Sequence, residues 1–175
     1  MPESTLNQSL IRIEVCPCIS DTRALSQKKK LINLGFHIKA LNIADIYTIE
    51  TEIEPSIVEA ASFILINPRK EQKLDHKALK FDYAIEIGFL PGVTDNIGTT
   101  ARDSLTNHLK TTKQLNVYSS QLFLLSTSLD LSSIQKLSLH LYNPLIQRVK
   151  IKTHQEFIQD NGMNIEIPKV QLTHK

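Results

Sequence analysis

Few residues have types and spacing that suit chemistry. The stretch Gly88-Phe89-Leu90-Pro91-Gly92-Val93-Thr94-Asp95-Asn96-Ile97-Gly98-Thr99-Thr100 puts glycines and hydroxyls ahead of a helix start, where backbone N–H groups can cradle a phosphate. Its spacing is neither the dinucleotide-binding pattern nor a P-loop, and no lysine follows Gly98 directly. The plainer reading is a Pro-Gly turn followed by a capped helix. Glu14 and Glu86 hold matching positions in two alternating segments and would suit acid/base work if buried together, although two solvent-facing residues explain them equally well. Cys16 and Cys18 have no base that the sequence can place beside them, and no serine stands in a nucleophile elbow. The six histidines (His37, His76, His108, His140, His154 and His174) are scattered without ligand spacing. Neither a catalytic residue nor a metal site is therefore expected in this chain.

The elements that would position these residues come in two similar series. Ile11-Arg12-Ile13-Glu14-Val15 and Tyr83-Ala84-Ile85-Glu86-Ile87 alternate apolar and polar residues as half-buried strands do. Each runs into a helix start, Ser20-Asp21 or Thr94-Asp95. The first helix is predicted from Asp21 to Leu34, with Leu25, Leu31, Ile32 and Leu34 facing a core and Gly35 as the stop; Lys28, Lys29 and Lys30 read as a solvated face. The second is predicted over 96–109, with Ile97, Ala101, Leu105 and Leu109 on one side. Extended segments follow: Ile38 to Ile43 and Tyr47 to Ile53 in one half, Leu115 to Ser126 in the other, each a hairpin or one long bent strand. A further helix comes next in each half. One begins near Pro55 and buries Ile57, Ala60, Ala61 and Ile64; the other begins near Asp130 and buries Leu131, Ile134, Leu137 and Leu141.

Both of these helices are expected to end at Asn-Pro, Asn67-Pro68 and Asn143-Pro144, because proline cannot continue a helix and restricts the residue before it. From the capping aspartates the separations are 46 residues (21 to 67) and 48 residues (95 to 143). Matching order and near-equal spacing predict a tandem duplication of a β-α-β(β)-α-β unit. The expected fold class is α+β, with mainly antiparallel sheets and the two units paired about a pseudo-twofold axis. The divisions are a tail over 1–10, a first repeat over 11–76, a linker over 77–82, a second repeat over 83–152 and an extension over 153–175. Last strands are expected near Lys73-Leu74-Asp75 and over 146–152. The extension carries a helical possibility at 153–159, a break at Gly162 and an extended piece over 164–172.

Composition narrows the class. The chain has 175 residues, of which 41% are hydrophobic and 22% charged, enough for a packed core. Twenty basic against eighteen acidic residues leave a net charge of +2, which argues against a nucleic-acid binder that must neutralise many phosphates. No apolar stretch approaches the roughly 20 residues of a membrane span. The N-terminus lacks a basic start and an apolar h-region, and two cysteines suit a reduced, cytoplasmic setting.

Over Phe81 to Asp103, through Tyr118-Ser119-Ser120-Gln121-Leu122-Phe123 and at Asn143-Pro144-Leu145-Ile146-Gln147, the sequence resembles the PurS-like repeat of phosphoribosylformylglycinamidine synthases. Pro91, Gly92, Asp95, Gly98, Asn143 and Pro144 match that family's turn, helix start and closing Asn-Pro. The first copy is more weakly similar: it keeps Asp21, Gly35, Asn67 and Pro68 but carries Cys16-Pro17-Cys18 where the Pro-Gly turn would be. The resemblance implies a non-catalytic assembly module, in which two PurS-like units bridge a PurL-like ATP-dependent synthetase and a PurQ-like glutaminase in purine biosynthesis. ATP, Mg and glutamine would be used by those partner domains and not by this chain, and the turn at Pro91, Gly92, Asp95 and Gly98 would be the partner-facing loop. A different class, a regulatory module binding an amino acid or nucleotide between paired ferredoxin-like units, rests on fold analogy alone.

Overall fold

The computed structural model describes residues 8–169. Alternating apolar and polar residues form the strands β1 (Ser9–Pro17), β2 (Ile38–Thr51), β4 (Tyr83–Phe89), β5 (Leu115–Thr127) and β6 (Gln147–Thr153), with β3 a short strand at Glu71–Lys73. The helices are α1 (Thr22–Asn33), α2 (Pro55–Ala61), α3 (Asn96–Leu109), α4 (Leu131–Ser138) and α5 (His154–Gln159), and a 3-10 turn spans Ser62–Leu65. The fold is mixed α/β around one six-stranded sheet in the order β3-β1-β2-β5-β4-β6, with every pairing antiparallel.

The extended region of each half is one long strand, not a hairpin. These two strands, β2 and β5, pair with each other along nearly their whole length, Asp45 opposite Gln121 near the middle. Through this ladder the mainly antiparallel sheets expected of the two halves are one continuous sheet: the two longest strands satisfy their inner edges against each other, which removes two exposed edges.

One face of the sheet carries α1 to α4. α2, the 3-10 turn and α3 cover Ile11, Ile13, Val15, Ile49 and Val117, while α1 and α4 cover Ile43, Ile85, Ile87, Phe123 and Leu125. Each half thus contributes a helix above the other half's strands. The helices touch the sheet along narrower stripes than their periodicity predicts. In α1 only Ala24 and Leu31 are buried, and Leu25, Ile32 and Leu34 are exposed. In α2 the expected Ala61 is buried together with Val58, while Ile57 and Ala60, and Ile64 in the 3-10 turn, are exposed. Ile97 and Leu131 lie in the first turns of α3 and α4 and stay exposed, while Ala101, Leu105, Ile134 and Leu137 go under. A single row at i, i+3/i+4, i+7 suffices where helix and sheet meet along a line, and residues one step round the helix remain in water.

The other face packs Ala44, Ile46, Ala84, Leu122 and Leu124 against Phe81 of the inter-half segment and Phe157 and Met163 of the C-terminal extension. Phe81 and Phe157 meet edge to face at 5.2 Å.

Several local hydrogen-bond sets recur 76 positions apart (51 to 127, 62 to 138, 67 to 143). Thr51 Oγ1 accepts from Ile53 N and donates to Gln114 O, and Thr127 Oγ1 accepts from Leu129 N and donates to His37 O. Ser62 and Ser138 donate to the carbonyls of Glu59 and Gln135. At Asn67-Pro68, the Asn67 side chain accepts from Arg69 N and its carbonyl from Lys70 N and Glu71 N, while its own N–H donates to Glu71 Oε2. At Asn143-Pro144 the same set runs through Leu145, Ile146, Gln147 and Gln147 Oε1. Each turn delivers the chain into the half's last strand, which begins at Glu71 or Gln147; the first of these strands lies a little earlier than expected.

Candidate functional site

β4 stops at Phe89 while β5 extends beyond it, so the β5 edge at Val117 and Ser119 has no strand neighbour on that side. The Leu90–Val93 turn fills the gap, closed by Val93 N donating to Leu90 O at 3.2 Å. Gly92 has φ 82°, which explains the glycine after proline. The chain then enters α3 through Asp95. The Asp95 carboxylate accepts from Gly98 N at 2.7 Å, Ser119 N at 2.5 Å and Ser119 Oγ at 2.7 Å. It caps the helix and occupies the free edge of β5 at once. Gly98 is buried in this junction, where a Cβ would collide with the Val117 carbonyl oxygen.

A polar cleft of 260 Å³ opens beside the junction, with Gly92, Val93, Asp95 and Thr99 on one side and Thr48, Glu86, Tyr118, Ser120 and Arg148 on the other. Of the residues expected at a partner-facing loop, Gly92 and Asp95 line this cleft, Pro91 is exposed on the turn and Gly98 belongs to the packing beneath it. The backbone roles explain all four without invoking a ligand. Asp21 caps α1 through Arg23 N at 2.9 Å, and Asn67, Pro68, Asn143 and Pro144 form the two turns described above.

The cleft continues onto the helix-free face of the sheet, where alternate strand residues are charged. Glu14 and Glu86, matched by position, are joined by one arginine. Arg12 Nε donates to Glu14 Oε1 at 2.6 Å and Nη1 to Glu86 Oε1 at 2.9 Å; Ser120 Oγ also donates to Glu86 Oε1 at 2.6 Å, and His76 Nε2 meets Glu14 Oε2. Arg12, Glu14 and Glu86 are each under 15% exposed. Burial alone would raise the Glu14 carboxyl, but the hydrogen bond from His76 and the charge of Arg12 outweigh it and hold the group below its ordinary value. Glu14 is therefore a fixed anion, unsuited to donate a proton near neutrality. Arg12 Nη2, Glu86 Oε2 and His76 Nδ1 are buried without a protein partner among the described residues, as on a face that holds water or a ligand group.

Glu50, also nearly covered, accepts from Asn116 Nδ2 at 3.3 Å and Tyr118 Oη at 3.2 Å and pairs with Lys169 at 2.5 Å. Burial, the Glu50 charge and the hydrogen bond to it push the Tyr118 phenol up to about 12. Residues 164–169 have no regular secondary structure and form a strap across this face. Besides Lys169, Glu166 pins the strap to Arg148 and Lys150, and Lys152 Nζ holds its root through Asp160, Gly162 O and Asn164 at 2.7 to 2.8 Å.

Sequence reading missed Arg12, His76, Arg148, Lys150 and Glu166. The available signal was the polar phase of the strands: Arg12 and Glu14 in β1, Arg148, Lys150 and Lys152 in β6, all at alternate positions. Cys16 and Cys18 are free thiols, and among the described residues no three His, Cys, Asp or Glu side chains are grouped as metal ligands, nor is any helix long and apolar enough to cross a membrane. No family model matches the chain, and no curated protein matches it.

Proposed function

We propose that the chain is a tandem pair of PurS-like units acting as a non-catalytic assembly module of a phosphoribosylformylglycinamidine synthase, bridging its ATP-dependent synthetase and glutaminase parts. The observation that carries the reading is the strand order β3-β1-β2-β5-β4-β6, in which the first half's order is reversed in the second. Paired units related by a pseudo-twofold axis would produce that order, with Asp45 opposite Gln121 near the axis. The recurrent bonds support it: Thr51 reaches Gln114 at the start of the other half's long strand, and Thr127 reaches His37 in return. Duplication also accounts for the exchange of helices between halves, since each unit alone would leave part of its sheet uncovered.

The role follows from the resemblance at Pro91, Gly92, Asp95 and Gly98. Their turn stands at the end of β4, on the rim of the polar cleft, where a partner can reach it. An assembly module contributes by holding two active sites in fixed relation, so its effect is on coupled turnover and not on either half-reaction.

The test is reconstitution. The chain is mixed with a synthetase that lacks its N-terminal PurS-like region and with the matching glutaminase, and complex formation and glutamine-dependent amidine synthesis are measured. The expected result is a co-eluting complex and restored glutamine-dependent turnover, with ammonia-dependent turnover less affected. A chain that neither binds the two proteins nor raises glutamine-dependent turnover overturns the reading.

A further inference from the structure

We propose that Arg148 and Lys150 form a binding site for the phosphate group of a small phosphate monoester, a site that the strap residue Glu166 holds closed. Arg148 Nη1 donates to Glu166 Oε2 at 2.8 Å and Nη2 to the Glu166 carbonyl at 2.9 Å, while Lys150 Nζ contacts Glu166 Oε1. Two cations thus meet one carboxylate. A phosphate monoester is close to a dianion at neutral pH and matches that pair in charge, and the guanidinium fork suits two of its oxygens.

The seat is built by the sheet and occupied from outside it. Arg148 and Lys150 alternate along β6, so both project from the same face. Arg148 packs across Gly88 of the neighbouring strand, where a Cβ would stand in ordinary contact 3.6 Å from Nε, and that nitrogen is anchored on Phe89 O at 3.3 Å. Glu166, by contrast, is half exposed on a segment that forms no ladder and no helix. Its departure breaks two ion pairs and the hydrogen bond to its carbonyl, but no secondary structure.

Behind Arg148 the 260 Å³ cleft offers Thr48, Thr99, Asn116 and Ser120 to the rest of a small polar ligand. Of the two anionic walls, Asp95 is matched by Gly98 N and Ser119, while Glu86 gives Oε1 to Arg12 and Ser120 and keeps Oε2 without a protein partner among the described residues. The site is independent of the proposed assembly role, and either can fail without the other.

Titration of the full chain with glycerol 3-phosphate, followed by amide chemical shifts, tests the assignment, with glycerol and inorganic phosphate as comparisons. Saturable shifts at 148–150 and along 164–169 are expected. Glu166→Gln removes the resident anion and should tighten binding about tenfold; Lys150→Met and Arg148→Met should each weaken it by about tenfold or more. Three results overturn the proposal: no saturable binding to Glu166→Gln, equal affinity in wild type and Glu166→Gln, or unchanged affinity in Lys150→Met, which keeps the apolar stem of a half-buried side chain. Inorganic phosphate binding as tightly as the monoester would also overturn it, because the cleft would then contribute nothing.

Discussion

Arg12 Nη1 donates to Glu86 Oε1 at 2.9 Å although their strands, β1 and β4, are not neighbours: β2 and β5 run between them. Three strand spacings of about 4.8 Å separate the two backbones, so both side chains lie extended over the central strands. Arg12 also holds Glu14, which makes one buried guanidinium the hub that ties the first half of the chain to the second across the sheet.

Removing the hub alone should be worse than removing the whole cluster. Arg12→Met leaves two carboxylates in a nearly covered site without their shared cation, and a loss of about 3 kcal/mol is expected in urea unfolding. Adding Glu14→Gln and Glu86→Gln to Arg12→Met should recover more than half of it, because neutral side chains carry a smaller desolvation cost. A triple variant no more stable than Arg12→Met would show that packing of the arginine stem, and not its charge, dominates.

The same cluster fixes the sign of a pH effect. The Glu14 carboxyl is lowered from its ordinary 4.5 despite its burial, by His76 and Arg12. A group whose folded pKa lies below its unfolded value contributes stability that is full above the unfolded value and is lost as pH falls through the folded one. Unfolding free energy should therefore be flat from pH 7 to about pH 5 as far as Glu14 is concerned and fall below that. Glu50, held low against its burial by Lys169 and Asn116, and Glu166, held low by Lys150, act in the same direction. Urea titrations at each pH should show a shallower acid fall in Glu14→Gln, and a fall as steep as wild type would remove Glu14 from the account.

Much of the secondary structure was legible because it rests on local patterns. Asp21, Asp95 and Asp130 cap helices where their positions before apolar rows suggested, whereas Asn67-Pro68 and Asn143-Pro144, expected to close helices, lie beyond helices that already end at Ala61 and Ser138 and instead form the turns into the last strands. Which apolar residues a helix buries was less legible. Leu25, Ile32, Ile57 and Ile97 share the periodicity of core residues, and only the line of helix-sheet contact leaves them in water. The charged face was harder still. Arg12 reads as an ordinary strand-surface residue until the linker and the extension, with Leu74, Phe81, Phe157 and Met163, cover that face, and nothing local in the sequence says that a second layer will lie there.

Gly98 was singled out as a helix-start glycine, and its environment gives a sharper reason for it. Gly98→Ala drives a methyl into the Val117 carbonyl and against the Asp95 carboxylate, so α3 must move away from β5 or lose its cap. A destabilisation of about 2 kcal/mol is expected, against a few tenths of gain for an unstrained glycine-to-alanine change in a helix. Thermal unfolding of Gly98→Ala beside Asp95→Asn distinguishes the causes. If the clash acts by displacing the cap, the double variant should lose less than the sum of the two single losses, whereas full additivity would mean that the methyl and the cap act separately.

The strap has a root that can be cut without touching its tip. Lys152 is 6% exposed and gives its ammonium to Asp160 Oδ2, Gly162 O and Asn164 Oδ1, so all three of its donors are used. Gly162, at φ 115°, turns the chain out of α5 toward the sheet, and its own N–H closes the helix on Phe157 O at 2.7 Å. Lys152→Met keeps the stem and removes the donors, leaving the Gly162 carbonyl and the Asn164 amide to water. A loss of about 1–3 kcal/mol is expected, concentrated at the C-terminal side of α5. Hydrogen exchange should then rise over 162–169 while β2 and β5, at the centre of the sheet, keep their protection. Because Glu166 holds the strap through two ion pairs and one hydrogen bond to its carbonyl, with its own side chain half exposed, detaching the root should also raise its exchange with solvent. Uniform loss of protection across the sheet would instead make Lys152 a part of the global core, and unchanged protection of 162–169 would mean that Met163, the Glu166 pairs and the Lys169–Glu50 pair anchor the strap without Lys152.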